Sequence, residues 1–198
     1  MGALVVLAGP SGVGKGAIFA GLRARDVRYW RSVSWTTRAM RPTEVDGREY
    51  HFVTREQFDA ERGVAGFLES FEVFGAAYGN LYGTPRRAVD EHLAAGDIVI
   101  LEIDVQGALA VRAQMPDALL VFIAPPSVET LRARLIGRND GMSPEQLAAR
   151  LDTAAAELAQ AEQFDAVVVN DDLDRATDEV ATLVGRHLGE LDPTLTEQ

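Results

Sequence analysis

The sequence predicts an α/β fold, a parallel sheet with helices on both faces, carrying a small inserted lobe and a helical excursion. Three observations lead there. Continuous apolar runs at 4–8, 98–103, 119–124 and 166–169 read as strands buried on both faces. Segments at 15–25, 85–95, 107–114, 127–137, 144–163 and 173–188 place apolar residues at helical spacing and alternate with those runs. Between 35 and 84 the alternation stops, which marks an insertion.

Taken in order, Leu4-Val-Val-Leu-Ala8 runs straight into glycine, and the helix after it carries Ile18, Phe19 and Leu22 on one face. A shorter strand is expected around 32–34. Within the insertion, 49–53 and 67–74 read as half-exposed strands on either side of a short helix near 55–62, and Gly and Tyr crowd 75–83. These features outline a mixed α/β lobe over 34–85. The second excursion, 126–150, is arginine-rich. Its last helix opens with Ser143 as N-cap, Pro144 at the first helical position and Gln146 placed for a capping box. One domain, 1–190, is therefore expected, with its core in 1–33, 86–125 and 151–190; 191–198 reads as a frayed tail.

The composition excludes several classes of protein. With 198 residues, 47% hydrophobic and 25% charged, the chain is long enough for a sizeable core. No apolar run approaches the ~20 residues that span a bilayer, and the N-terminal apolar run lacks a basic leader, so neither membrane nor signal peptide is expected. The absence of cysteine excludes disulfides and thiolate metal sites and fits a cytoplasmic location. A net charge of −11 argues against a nucleic-acid partner, so any anionic ligand needs a local cluster of positive charge. Among 19 lysines and arginines, Lys15 is the single lysine.

That lysine lies in Gly9-Pro-Ser-Gly-Val-Gly-Lys15, the pattern G-x-x-x-x-G-K between a buried strand and a helix start. Gly9, Pro10, Ser11, Gly12, Val13, Gly14, Lys15 and Gly16 thus form the expected phosphate cradle of a nucleoside triphosphate. Backbone N–H groups converge there, the helix N-terminus adds partial positive charge, and a compact ammonium reaches the outer phosphates. The pattern usually continues with Ser or Thr, whose hydroxyl helps to hold Mg²⁺. Here Gly16 and Ala17 follow. Magnesium is therefore expected to bind through water, the substrate phosphates and a carboxylate, with Asp104, at the end of a strand, as the natural candidate.

Phosphoryl transfer also needs an acceptor and positive charge around the moving group. Arg38 and Arg41 follow the candidate strand at 32–34, Tyr50 and Tyr82 offer further phosphate donors, and Glu69 and Glu102 could accept from the N–H edge of a purine. His51, His92 and His187 are scattered and suggest no metal or catalytic role.

At this point the chain resembles the guanylate kinases. The likeness rests on Gly9-Pro-Ser-Gly-Val-Gly-Lys-Gly16, Ser32-Val-Ser-Trp-Thr-Thr-Arg38, Arg41-Pro-Thr-Glu-Val-Asp-Gly47 with Tyr50-His-Phe52, and Phe67-Leu-Glu69. It continues through Gly79-Asn-Leu-Tyr-Gly-Thr-Pro85, Leu101-Glu-Ile-Asp-Val-Gln-Gly107, Pro125-Pro-Ser127 and Val169-Asn-Asp-Asp-Leu173. It implies a P-loop NTPase-type sheet with a GMP-binding lobe and a lid, transferring the γ-phosphoryl of ATP to GMP, and to dGMP, with Mg²⁺. Ser34, Arg38, Arg41, Tyr50 and Tyr82 would hold the GMP phosphate. Glu69, Thr84 and Glu102 would read guanine, Asp104 would stand beside the phosphates and metal, and Asn170 would lie near adenine. Arg134, Arg138 and Arg150 resemble lid arginines that close over ATP.

The chain also departs from the family pattern. Trp35 stands where a small residue is usual and is expected to crowd the phosphate-binding turn. The stretch Gly75-Ala-Ala-Tyr-Gly-Asn80 is longer than usual and offers Tyr78 as a rival to Tyr82, and the lid reads Arg138-Asn-Asp-Gly-Met-Ser143. Two other readings stay open on the residues alone. One is a guanylate-kinase-like binding module without catalysis; the other is a related P-loop kinase with a different phosphorylated acceptor.

Overall fold

The computed structural model describes residues 2–73, 79–137 and 142–191. Its central strand, β1 (Ala3–Ala8), has all six residues buried, as a strand covered on both faces must. Helix α1 (Lys15–Arg25) leads to β2 (Tyr29–Arg31), and α3 (Arg86–Ala95) leads to β7 (Ile98–Glu102). Then come α4 (Val105–Gln114), β8 (Leu119–Ala124), α5 (Val128–Gly137), α6 (Pro144–Leu158), β9 (Ala166–Val169) and α7 (Leu173–His187). The five parallel strands lie in the order β2-β7-β1-β8-β9. Alternation along the strands divides the core in two. Leu4, Val6, Val99, Leu101, Leu120 and Phe122 pack with Val89, Ala108 and Val111 of α3 and α4. On the other face, Val5, Leu7, Ile98, Ile100 and Val121 pack with Ile18, Leu22, Val180 and Val184 of α1 and α7.

Four strands between Trp35 and Pro85 form a second sheet. Strands β3 (Trp35–Thr36), β4 (His51–Phe52), β5 (Phe67–Val73) and β6 (Asn80–Pro85) lie in the order β4-β3-β6-β5, with α2 (Arg55–Gly63) alongside. Thr54 and Gln57 close the capping box that starts α2. Phe58, Phe67 and Leu81 form a small core of their own.

Several expectations need correction. Residues 32–34 are not a strand: Ser32 N–H still bonds Ile100 C=O at 3.0 Å, and the chain then crosses from the first sheet to the second. Strand β6 fell in the Gly- and Tyr-rich stretch, and its antiparallel pairing with β5 could not be read from composition. The strand expected at 49–53 shrinks to His51–Phe52, because Gly47 N–H bonds Tyr50 C=O at 2.8 Å and closes a turn there. Helix α4 starts two residues early, capped by Asp104, whose side chain accepts from Gly107 N–H at 2.8 Å. Helix α6 stops at Leu158 and a 3₁₀ turn (Ala161–Gln163) follows, which lets Phe164 enter the core edge-on to Phe122 at 5.3 Å. Ser143 and Gln146 form the capping box expected of them.

Candidate active site

All the loops that build the site leave the carboxyl ends of the parallel strands, where ligands of such sheets gather. The loop after β1 is held open by left-handed glycines. Gly9 has φ +131, and a Cβ there would lie 2.2 Å from Ile123 C=O. Gly14, at φ +105, is the N-cap of α1, and a Cβ there would meet Asn170 Nδ2 at 2.4 Å. Lys15 Nζ donates to Gly9 C=O at 2.5 Å and reaches Pro10 C=O at 3.4 Å. The ammonium is thus folded over the loop whose N–H groups would receive phosphate.

Two adjoining cavities, about 810 and 410 Å³, open above this loop and share Ser11, Lys15, Ser34, Tyr50, Tyr82 and Glu102. The larger adds Arg38, Arg41, Arg134 and Arg150; the smaller adds Glu69, Phe71 and Asp104. A cluster of five arginines, Arg31 included, facing a phosphate loop supplies the local positive charge that a chain of net charge −11 lacks overall.

On the acceptor side, Arg38 lies over the rings of Tyr50 and Phe52, each 5.5 Å from its guanidinium carbon. Tyr50 meets Tyr82 edge-on at 5.7 Å, and Tyr82 stacks on Phe71 at 5.6 Å. Burial, and then the neighbouring Tyr82, push the Tyr50 phenol above its ordinary value, so it stays a hydroxyl donor. Trp35 does not crowd this turn. Its ring packs edge-on to Phe67 at 5.6 Å, in the core of the second sheet, because strand alternation sends it away from the cleft.

Deeper in, Thr84 donates its hydroxyl to Glu69 Oε1 at 2.6 Å. Glu69 is 5% exposed, and its Oε2 accepts no hydrogen bond. Burial pushes this carboxyl up to about 7, with the Asp104 charge adding and the Thr84 hydrogen bond opposing.

Two carboxylates at the end of β7 line the smaller cavity together and make different contacts. Asp104, expected beside phosphate and metal, uses Oδ1 to cap α4 and faces Glu69. Glu102, expected to read guanine, turns Oε2 toward the loop, 3.4 Å from where a Cβ of Gly16 would stand, and gives Oε1 to Arg31 at 3.4 Å. The reason is local. Glu102 ends β7 opposite Leu7, next to the loop, whereas Asp104 is already drawn into the start of α4.

Asn170, expected near adenine, braces the loop. Its buried amide donates to Val13 C=O at 2.8 Å and its N–H bonds Ala124 C=O at 2.8 Å. Arg134 grips the same places, donating to Val13 C=O at 3.1 Å and Asn170 C=O at 2.9 Å. Arg150 lines the larger cavity from α6. Arg138 and Tyr78 lie outside the described residues.

Several cleft residues escaped the sequence reading, three of them charged groups with a definite place. Glu44 pairs with Arg38; Arg31 pairs with Glu102; Glu157 lines the smaller cavity. Glu157 could have been found, since it follows Arg150 by two helical turns on α6 and so shares its face. Burial raises its carboxyl, opposed by Lys15 and reinforced by Asp104.

A phosphate loop at the end of a central parallel strand, faced by arginines, defines a P-loop kinase fold. A family model described as guanylate kinase matches residues 1–187. The guanylate kinase of Thermobifida fusca is 50% identical over 181 residues, 91% of this chain and 90% of its own length. That of Bifidobacterium longum is 46% identical over 192 residues, 95% and 96% of the two chains. The crystal structure of guanylate kinase from Anaplasma phagocytophilum matches with a TM-score of 0.74 at 31% identity, over 98% of this chain and 88% of that one. The chain belongs to the guanylate kinase family.

Proposed function

We infer that this protein transfers the γ-phosphoryl group of ATP to GMP, giving ADP and GDP. A GMP phosphate oxygen attacks the γ-phosphorus in line as the bond to the bridging oxygen of ADP breaks, with no covalent intermediate. The observation that carries the reading is the shared cleft, with Lys15 and its loop at one end and the buried pair of Glu69 and Thr84 at the other. The acceptor dGMP fits the same reading, because none of the contacts invoked involves the ribose 2′-hydroxyl.

In this reading single residues take the following roles. The loop N–H groups and Lys15 receive the ATP phosphates, while Ser34, Arg38, Arg41, Tyr50 and Tyr82 receive the GMP phosphate. Glu69 Oε2 and Asp104 accept from N1–H and the exocyclic amine of guanine, two donors that adenine does not present together. Arg134, Arg138 and Arg150 neutralise charge on the moving group. The segments 34–85 and 126–150 act as lobe and lid, closing to exclude water that would otherwise hydrolyse ATP.

Magnesium fits this donor set only through its water shell. Among the described residues no group of three or more His, Asp or Glu that could hold a metal is gathered, yet Glu102 and Asp104 line a cavity together with Gly9, Ser11 and Lys15 of the loop. When bound, the ion neutralises the β- and γ-phosphates. The working place is the cytoplasm, where ATP and GMP are at hand; no helix among the described residues is long and apolar enough to cross a membrane. A nucleic-acid partner does not suit a chain of net charge −11.

The test is product formation from Mg-ATP with GMP, dGMP, AMP, CMP and UMP in parallel. GDP should form fastest from GMP, and Lys15→Met should lose that activity with its circular dichroism unchanged. Preference for AMP would overturn the carboxylate assignment. GMP binding without any ATP-dependent product would make this a binding module.

A further inference from the structure

Strand β2 ends at Arg31, which pairs with Ile100 of β7, and beyond Ser32 the chain leaves the first sheet for the second. Arg31 therefore stands at the junction of core and lobe. We propose that Arg31 is a positioning residue for the phosphoryl acceptor: its guanidinium clamps the turn that carries Tyr50 onto the core, and so sets where Tyr50 meets the GMP phosphate. The inference rests on the kinase reading above and adds to it a residue that acts through another.

The guanidinium meets three elements at once. Nη2 donates to Arg48 C=O at 2.7 Å, Nη1 reaches Glu102 Oε1 at 3.4 Å, and the guanidinium carbon lies 5.4 Å from the centre of the Phe19 ring. Phe19 belongs to α1 and Glu102 to β7, so two of the contacts are with the core. The third is with the lobe, 17 residues further along the chain. A planar fork suits this place, because it offers donors in two directions while its face rests on a ring.

The turn that receives this bond is stiff. Gly47 N–H bonds Tyr50 C=O at 2.8 Å, Arg48 N–H bonds Val45 C=O at 3.1 Å, and Glu49 Oε2 accepts from Val45 N–H at 2.8 Å. A hold on Arg48 C=O is therefore passed to Tyr50, two residues on. Tyr50 meets Tyr82 edge-on and lies beneath Arg38, so its place governs the phosphate end of the acceptor site. Without the guanidinium the turn keeps its own bonds, and His51 N–H keeps Ser34 C=O at 2.9 Å, but this tie to the first sheet is lost.

The test pairs kinetics with amide exchange. Arg31→Met keeps an apolar stem against Phe19 and removes the donors. It should raise KM for GMP by about tenfold, with kcat and KM for ATP within about twofold of the unmodified protein. In the protein without nucleotides, exchange at the Gly47 and Arg48 amides, followed by nuclear magnetic resonance, should quicken by about fivefold while the amides of β1 and β7 stay as they were. In a Tyr50→Phe background the same substitution should raise KM for GMP by less than about threefold, because the hydroxyl being positioned is already gone.

An unchanged KM for GMP in Arg31→Met would overturn the proposal. So would a raised KM with turn exchange unaltered, which would put Arg31 on the phosphate itself. Full additivity with Tyr50→Phe, or full recovery of GMP affinity in Arg31→Lys while the turn stays loose, would reduce the effect to positive charge alone and overturn it too. An equal rise in KM for GMP and ATP would mark a general structural role and end it as well. If the unmodified protein forms no GDP, the kinase reading falls and the proposal with it; the other outcomes fall on the proposal alone.

Discussion

Glu44 grips Arg38 with both carboxylate oxygens, Nη2 to Oε1 at 2.8 Å and Nη1 to Oε2 at 3.0 Å. The pair is mostly out of water, with side chains 16% and 11% exposed, and Glu44 Oε2 also accepts from Arg41 N–H at 2.8 Å. The fork-to-fork bond fixes the plane of the guanidinium, and Arg38 faces the cleft over Tyr50 in that plane. The same contact holds the Glu44 carboxyl below its ordinary value.

Removing one partner should therefore hurt the other. Glu44→Ala is expected to raise KM for GMP by about tenfold and leave KM for ATP near its original value, because the phosphate loop is untouched. It should also cost about 3 kcal/mol of stability, as a largely buried guanidinium loses its counter-charge. Steady-state kinetics and urea unfolding check the two effects. Equal damage to both KM values would show that Glu44 serves the fold at large.

Glu69 predicts a pH dependence. Its carboxyl, pushed up to about 7, must be ionised to accept from guanine. GMP affinity should then weaken as pH falls below about 7, approaching tenfold per unit, while calorimetry in buffers of different ionisation heat should show proton release on binding near pH 6.5. Because the phosphate of GMP also titrates near there, Glu69→Gln is the control: it should bind weakly with a flatter profile. An equally steep profile in that variant would remove Glu69 as the source.

The same shift has a consequence for stability. The folded protein holds this proton more tightly than the unfolded chain, whose carboxyl titrates near 4.5, so the folded state loses stability as pH rises from 4.5 through about 7. The difference is on the order of 3 kcal/mol. Glu69→Gln should be more stable than the unmodified protein at pH 8 and no different at pH 4, measured by denaturant unfolding. A constant difference at both would contradict the linkage.

Lys15 gives a chemical handle, since it is the single lysine among 19 basic residues. An amine-reactive acylating reagent should modify the chain at Lys15 and the α-amino group alone, inactivate it in step with Lys15 acylation, and be slowed there by ATP. Mass spectrometry locates the label. Full acylation of Lys15 with activity retained would remove the lysine from the mechanism.

Some of this was legible before any fold was known. The strands β1, β7 and β8 are nearly continuous apolar runs, and a run buried on both faces announces itself by composition alone; β9 is as apolar, yet it lies at the sheet edge and leaves Val167 and Val169 exposed, against the expectation. The phosphate loop was equally plain, because backbone convergence on phosphate needs glycine at set positions, and positive φ at Gly9, Gly12 and Gly14 answers that need. Capping at Ser143 is a local exchange of hydrogen bonds within three residues, and local bonds are written in local sequence.

What the sequence could not hold was anything decided between distant segments. Strand β6 exists because β5 offers it a partner, and Trp35 faces away from the cleft because the second sheet has a core to receive it. Asn170 became a brace for Val13, 157 positions earlier in the chain. The clearest case is the pair Glu102 and Asp104. Both are acidic, both end the same apolar run, and only Ile103 separates them; the sequence determined that two carboxylates would stand at this strand end above the phosphate loop. Which one faced Gly16 was left to the pairing of Glu102 with Leu7 and to the start of α4 at Asp104. Side-chain direction at the end of a strand depends on where the next element begins, and that is settled by packing rather than by residue type.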